Sequence, residues 1–401
     1  MSMTADPTRT LFPLSDPLGV SASLNDSERG LLLTLQETLE RDVAPLVNEA
    51  WDQARFPQAI VQPLVDLDLV EPAALEADPR PIFRGFRCFT LARTDASVAT
   101  FHTAQAGLFR TAVLEGGDNQ MVAEWRPKIA SWERFGVFCL TEPEHGSDVA
   151  GGLATSARRE GETWRINGTK RWIGAATQAD WLAIFARDDD DGEVKGFLVP
   201  SEAPGVSMET ISGKTALRIV QNAEITLEDV SVQESLRLKN VHSFKDVARM
   251  LRLMRSDVAW IAAGVAAGAF EAALRYVDRR RQFGVPLGSF QLVQEKLARM
   301  QGNVTQALSL CASLSEAQEN GSYRDEHSAL TKSTVCLRMR ETVALAREVC
   351  GGNGITLEAD VARYFADAEA IYSYEGTHEI NSLIVGRSLT GIGSFLPRTN
   401  T

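Results

Sequence analysis

Five short segments of this chain combine side chains in ways that could do chemistry. Near the C-terminus, Tyr374-Glu375-Gly376-Thr377-His378 sets a carboxylate beside a glycine just ahead of a predicted helix. A carboxylate so placed can remove a carbon-bound proton if the adjoining carbonyl is polarised by aimed donors; it can equally be an exposed cap residue. Phe138-Cys139-Leu140-Thr141-Glu142-Pro143-Glu144-His145-Gly146-Ser147-Asp148 is an apolar strand running into a polar loop. Its backbone N–H groups and two hydroxyls suit a buried heterocycle with carbonyls along one edge, because each ring acceptor then needs a donor. An ordinary turn after a strand has the same composition. Trp172-Ile173-Gly174 offers an aromatic plane that can stack on a ring, or a core tryptophan. Arg280-Arg281-Gln282-Phe283-Gly284, at the end of a long predicted helix, can grip a diphosphate, or leave cations at a solvated helix terminus. Cys350-Gly351-Gly352-Asn353-Gly354 lets backbone approach a ligand closely, or merely breaks a helix. No strand–helix–strand context surrounds it, so it is not a dinucleotide fingerprint.

The elements that must position these segments follow from periodicity. From about Asp26 to Ser131 the pattern is helical: Leu31, Leu32, Leu35, Leu39 and Val43 fall near one face, with Glu37, Glu40 and Arg41 opposite. Pro45, Pro57, Pro63, Pro72 and Pro79-Arg80-Pro81 divide it into several helices. Between about Phe135 and Val232, short runs of β-branched and aromatic residues alternate with Gly, Asn and Asp turns. Asn167-Gly168 is suited to a tight hairpin between Thr163–Ile166 and Lys170–Ile173. Asp188–Gly192 separates Trp181–Ala186 from Lys195–Val199, and its acidic run suits a solvated loop tip. From about Ser243, long helical segments return at Ala248–Arg281, Phe290–Asn320, Tyr323–Cys350, Ala359–Phe365 and His378–Leu389, most simply packed as a bundle. The expected fold class is α+β, with a helical domain over 24–134, a β domain over 135–235 and a helical bundle over 243–395.

Composition narrows the function classes. At 401 residues the chain exceeds what one core usually supports. A formal net charge of -12, with basic residues scattered among acidic ones, argues against nucleic acid as partner. Cys88, Cys139, Cys311, Cys336 and Cys350 are far apart and form no CxxC, so neither a disulfide framework nor a metal site is suggested. Val258–Leu274 is apolar but carries Glu271 and falls short of a bilayer span, which makes it a buried helix and leaves no membrane partner. Met1–Leu24 lacks the pattern of a secretory signal and Pro397–Thr401 lacks a peroxisomal address, so a cytoplasmic location is expected.

Taken in order, the five segments resemble the motifs of the acyl-CoA dehydrogenase family, and the likeness runs from about Leu24 to Phe395. The resemblance implies a helical N-terminal domain, a β-barrel-like middle domain and a C-terminal four-helix bundle. It also implies FAD as cofactor and a homotetramer. Leu140, Thr141 and Ser147 would line flavin and thioester, with Trp172, Ile173 and Gly174 bordering the ring. Arg280, Phe283 and Gln291, together with Gly351, Gly352, Asn353 and Gly354, would hold FAD, typically that of a neighbouring subunit. Thr377 would touch the flavin, and Arg255 and Gly376 would lie at the acyl-CoA site. Glu375 would be the base that takes the α-proton, with its own backbone N–H among the donors to the thioester oxygen. The implied reaction turns a short acyl-CoA into a trans-2-enoyl-CoA.

Within the family, the segment from Tyr374 through Ile392 looks closest to the glutaryl-CoA dehydrogenase branch. Decarboxylating members hold the distal carboxylate partly with an arginine after an Ala-Arg-x-Asp motif. Here Ala92-Arg93-Thr94-Asp95 is followed by Ser97-Val98-Ala99-Thr100, and Ala99 stands at the arginine's position. An unpaired buried carboxylate is costly, and neither Arg93 nor Arg110 is an obvious replacement. Lys170–Gly174 and Leu217–Asn222 instead resemble short-chain acyl-CoA oxidases, which points to an uncharged acyl chain. The electron acceptor, electron-transfer flavoprotein or O2, stays open. A CoA-ester binder without turnover and a nitroalkane oxidase are both disfavoured by a glutamate at position 375.

Overall fold

The computed structural model describes residues 11–393, so Phe395 and the Pro397–Thr401 tail lie outside the described residues. Helices come first: α1 (Asp26–Thr38), α2 (Ala44–Asp52), α3 (Val61–Asp66), α4 (Pro81–Thr94), α5 (Ala96–Thr103), α6 (Arg110–Gly116) and α7 (Asn119–Ala130). Pro45 and Pro81 sit in first turns, where the missing N–H has no partner to lose. Asp118 caps α7 by accepting from the Met121 N–H at 2.8 Å.

Strands follow: β1 (Gly136–Cys139), then the short helix α8 (Val149–Gly152), β2 (Ser156–Glu160), β3 (Thr163–Gly174), β4 (Trp181–Asp188), β5 (Val194–Pro200), β6 (Val206–Thr210), β7 (Asn222–Gln233) and β8 (Arg237–Leu238). They form one sheet in the order β6-β7-β3-β2-β4-β5-β8, with β1 parallel to β4 outside that path.

Asn167-Gly168 is not a hairpin turn, because β3 runs straight through it, and the turn between β2 and β3 is at Gly161-Glu162. Asn167-Gly168 instead marks a register shift against β7. The Asn167 side chain accepts from the Asp229 N–H at 2.8 Å, and a Cβ on Gly168 would lie 2.5 Å from Thr155 Oγ1. Positive φ and a polar side chain serve a bulge as well as a turn, so composition alone could not separate them. The acidic run does join β4 to β5, with Asp191 paired to Lys195 at 2.7 Å.

Long helices close the chain: α9 (Phe244–Arg279), α10 (Gln291–Glu319), α11 (Asp325–Val349), α12 (Val361–Ser373) and α13 (His378–Thr390). α12 therefore extends past Phe365, its buried stripe continuing through Asp367, Ala368 and Ile371. α9 ends at Arg279, two residues before the expected Arg281, so Arg280–Gly284 follows the end of this long helix directly. It forms a two-stranded hairpin of β9 (Arg281–Gln282) and β10 (Val285–Pro286), turning at Phe283-Gly284.

By compactness the chain divides into two units, 11–37 with 79–96 and 255–393, and 38–78 with 97–254. In the first, α4 packs on α10 and on the apolar part of α9. Trp260 is fully buried against Phe86, and a Cβ on Gly85 or Gly264 would strike the Trp260 ring or the Phe89 carbonyl at 2.2 and 2.4 Å. α9 is long and apolar enough to cross a membrane, yet its apolar window is mostly buried within the protein. In the second unit, Phe109, Trp125 and Ile129 share a core with Phe185, Leu198 and Leu238, joining helices to the sheet.

Candidate active site

Glu375 sits in a turn between α12 and α13 with φ of +55°, followed by Gly376 at +93°. An L-residue in the left-handed region is strained, so surrounding bonds must hold it there. One buried cation, one side-chain amide and one helix cap do so. Lys332, buried on α11, donates to the carbonyls of Tyr372, Tyr374 and Gly376 at 3.0, 2.8 and 2.7 Å. Asn381, buried on α13, donates through Nδ2 to Gly376 O at 2.8 Å and Thr377 O at 3.0 Å. Thr377 caps α13 by accepting from the Ile380 N–H at 3.2 Å. The helix cap is thus Thr377, and Glu375 is free of that duty.

The residue is half-buried, yet its Oε2 is enclosed and makes no hydrogen bond. Burial pushes its carboxyl up to about 7 from an ordinary value near 4.5; Arg255 and Lys332 pull it down, and Asp257 pushes it further up. Arg255, on α9, is itself lowered by burial against the pull of Glu375, Asp325 and Tyr323. The result is a carboxylate poised to exchange a proton near neutrality, with an unused oxygen lone pair.

In the other unit, β1 delivers Leu140 and Thr141 into the polar loop. The loop is fixed by a buried ion pair: Lys170 Nζ lies 2.8 Å from Glu142 Oε1 and 3.3 Å from the Leu140 carbonyl, and both side chains are buried. Glu142 also accepts from the N–H groups of Ala154 and Thr155 at 2.7 and 2.9 Å. Burial pushes Lys170 down to about 8; the same burial opposes ionisation of Glu142, but Lys170 and these donors outweigh it and hold the carboxyl below its usual range. The Arg171 N–H donates to Thr141 O at 2.8 Å, tying the loop to β3. Thr141 is half-buried and Ser147 exposed.

Next along β3, a register shift against β7 between Lys170 and Ile173 coincides with a φ of +64° at Trp172. One left-handed residue at a bulge turns the ring out of the pleat. Trp172 is accordingly 53 % exposed while Ile173 is buried. It is not a core tryptophan.

In the first unit, the Arg280–Gly284 and Cys350–Gly354 segments meet at one cleft of about 360 Å³, lined by Arg275, Tyr276, Arg279, Arg280, Asn353 and Asp360 among others. Asn353 Nδ2 donates to the Tyr276 hydroxyl at 2.9 Å. Gly354 is buried, and a Cβ there would lie 2.2 Å from the Arg347 carbonyl, so no other residue fits. Gly351, Gly352 and Gln291 are exposed. Phe283 is 93 % exposed at φ of +52°, with Leu292 at 77 % and Ile355 at 74 %.

Sequence reasoning did not single out Lys332, Asn381 or Lys170. A signal for the first existed: Lys332 falls on the buried stripe of α11 with Ser328, Ala329, Val335, Cys336 and Met339, where an unpaired lysine would be costly.

Comparison with known proteins agrees along nearly the whole chain. The N-terminal, middle and C-terminal domain models of acyl-CoA dehydrogenase match residues 25–133, 137–230 and 244–390. The short-chain specific mitochondrial acyl-CoA dehydrogenase of Mus musculus is 29 % identical over 380 residues, covering 92 % of this chain and 91 % of that one. A glutaryl-CoA dehydrogenase structure from Mycobacterium smegmatis superposes with a TM-score of 0.88 at 32 % identity, covering 96 % of this chain and 99 % of that one. A second M. smegmatis glutaryl-CoA dehydrogenase, in complex with FADH2, gives 0.90 at 29 % identity, with 96 % and 100 % coverage.

Proposed function

The chain belongs to the acyl-CoA dehydrogenase family, FAD-dependent oxidoreductases acting on the CH–CH group, and from that premise we propose that it oxidises a short, uncharged acyl-CoA to the trans-2-enoyl-CoA with Glu375 as base. The observation that carries this reading is the enclosed Oε2 of Glu375, without a hydrogen bond and on a carboxyl raised to about 7. A carboxylate of that kind can take an α-proton once the thioester carbonyl is polarised.

The residues fit a flavin. The exposed Trp172 ring can lie along a heterocycle, and Leu140, Thr141 and Ser147, with Ile173 and Gly174, belong to the segments beside it. The Arg279, Arg280 and Asn353 cleft suits a diphosphate, which guanidinium groups bind in pairs. Bound FAD would accept the hydride that leaves the β-carbon. The remaining work falls to the chain: Glu375 takes the proton, its N–H faces the thioester oxygen, and Arg255 and Gly376 border the substrate. Phe283, Leu292 and Ile355, exposed beside the cleft's own segments, support assembly with further copies as a homotetramer, a neighbour's FAD reaching Arg280, Phe283 and Gln291.

The uncharged acyl chain is supported by the two arginines that could have stood in at Ala99. Arg93 is held by Glu271 at 2.8 Å, and Arg110 by Glu71. Ala99 itself is fully buried on α5. The likeness to M. smegmatis glutaryl-CoA dehydrogenase favours a second reading, oxidative decarboxylation of glutaryl-CoA. Anaerobic titration with butyryl-, isovaleryl-, hexanoyl- and glutaryl-CoA separates the two: bleaching by the monocarboxylic thioesters is expected, and preferred turnover of glutaryl-CoA with CO2 release would overturn the first reading. Repeating the assay in air while measuring H2O2 assigns the acceptor, O2 or electron-transfer flavoprotein.

A further inference from the structure

Three oxygens of one short turn converge on a single nitrogen. Lys332 Nζ donates to Tyr372 O, Tyr374 O and Gly376 O, so all three ammonium hydrogens are used. The first two acceptors end α12 (Val361–Ser373) or follow it directly, where carbonyls lack intrahelical partners. A lysine there could be a helix cap and nothing more. The third acceptor is what goes further. Tyr374 O and Gly376 O flank Glu375 on both sides, and Glu375 occupies a left-handed conformation that it would not hold unaided.

In a trans peptide the C=O and the following N–H point in opposite directions within one plane. A donor fixed on Tyr374 O therefore also fixes the direction of the Glu375 N–H. A positive charge on that carbonyl polarises the amide and strengthens its N–H as a donor. We propose that Lys332 is a positioning residue for the reaction: by holding the Tyr372, Tyr374 and Gly376 carbonyls at once it sets the carboxylate of Glu375 and aims and polarises the amide N–H of the same residue. The inference rests on the reading of Glu375 as base.

Charges around the ammonium are consistent with this. Burial lowers Lys332, Cys336, Glu375 and Glu379 pull it up, and Arg255 pushes it down. Around Glu375 itself stand Arg255, Lys332 and Asp257. Removing the ammonium takes away one of the two cations that keep Glu375 ionisable, so its carboxyl must rise further.

The test uses FAD-bound wild type, Lys332→Met, Lys332→Arg and Glu375→Gln, with deuterium wash-in from D2O at the α-carbon of butyryl-CoA expressed per bound flavin. Lys332→Met is expected to lose about 100-fold in kcat, the scale of a small misplacement of reacting groups, with KM nearly unchanged. The acid limb of its pH profile is expected above that of wild type. A lysine that only caps α12 would lower the unfolding temperature and leave kcat per flavin and the acid limb as they were; that result overturns the proposal. If Lys332→Met yields no folded holoenzyme, Lys332→Arg decides. Its planar fork keeps the charge but cannot meet three carbonyls at one point, so a roughly tenfold lower kcat at unchanged KM supports the proposal, and a wild-type kcat refutes it. Undiminished exchange in Glu375→Gln would remove the base assignment itself. Lost exchange there beside wild-type rates in both Lys332 variants would remove only the present inference.

Discussion

At the scale of the residue, the proposed base, Glu375, is a half-buried carboxylate kept in an unfavourable backbone conformation. Because burial raises Glu375 to about 7 in the free protein, kcat/KM should climb with pH through about 7 as the base ionises, and Glu375→Gln should abolish this limb and α-proton exchange while the protein stays yellow. A stability effect of definite sign accompanies it. The folded value lies above the ordinary 4.5, so the folded protein holds the extra proton between those limits, and stability falls as pH rises from 4.5 through 7. Glu375→Gln should therefore unfold later than wild type above pH 7, by roughly 1–3 kcal/mol after allowance for partial solvent screening, and show no advantage below pH 4.5. Denaturant titration of both proteins across that range checks the sign. Glu375 as the candidate base was legible from its sequence company. That it is held by Lys332 was not, since the two are 43 positions apart and meet only when α11 packs on α12 and α13.

At the scale of the element, the loop after β1 owes its shape to Lys170 and Glu142, one from β3 and one from the loop itself. Lys170→Met would leave a buried carboxylate without its cation, and breaking such a pair typically costs about 3–5 kcal/mol. The expected outcome is a lower urea midpoint together with weaker flavin retention, whereas Lys170→Met with Glu142→Gln should recover part of the loss because no charge remains unpaired. The helical and β-rich stretches were readable because apolar periodicity differs between them, and helix ends fell within a few residues except at the C-terminal end of α12. The Asn167-Gly168 bulge and the Phe283-Gly284 hairpin were not, because the same residue types serve turns, bulges and helix exits, and only strand pairing decides among them.

At the scale of the whole molecule, exposed apolar side chains at Phe283, Leu292 and Ile355 are the feature a lone chain explains least. Under the tetramer proposal, Phe283→Asp should shift the mass measured by light scattering toward smaller species and lower the FAD content of the purified protein, with helix content by circular dichroism unchanged. An intact tetramer with full flavin would refute that assembly surface.

The sequence by itself determined the order of helical, β-rich and helical regions, the family, the cofactor and the five candidate segments, because each rests on local pattern or on short motifs in fixed order. Tertiary structure alone decided how α4 joins the helices that follow the sheet, that Trp172 faces out, that Arg280 and Asn353 share a cleft, and that an enclosed lysine holds the turn bearing Glu375. Those outcomes depend on which distant surfaces are buried against one another. Burial is what sets a proton affinity, frees a ring or makes a lone ammonium seek three carbonyls, and no window of neighbouring residues contains it.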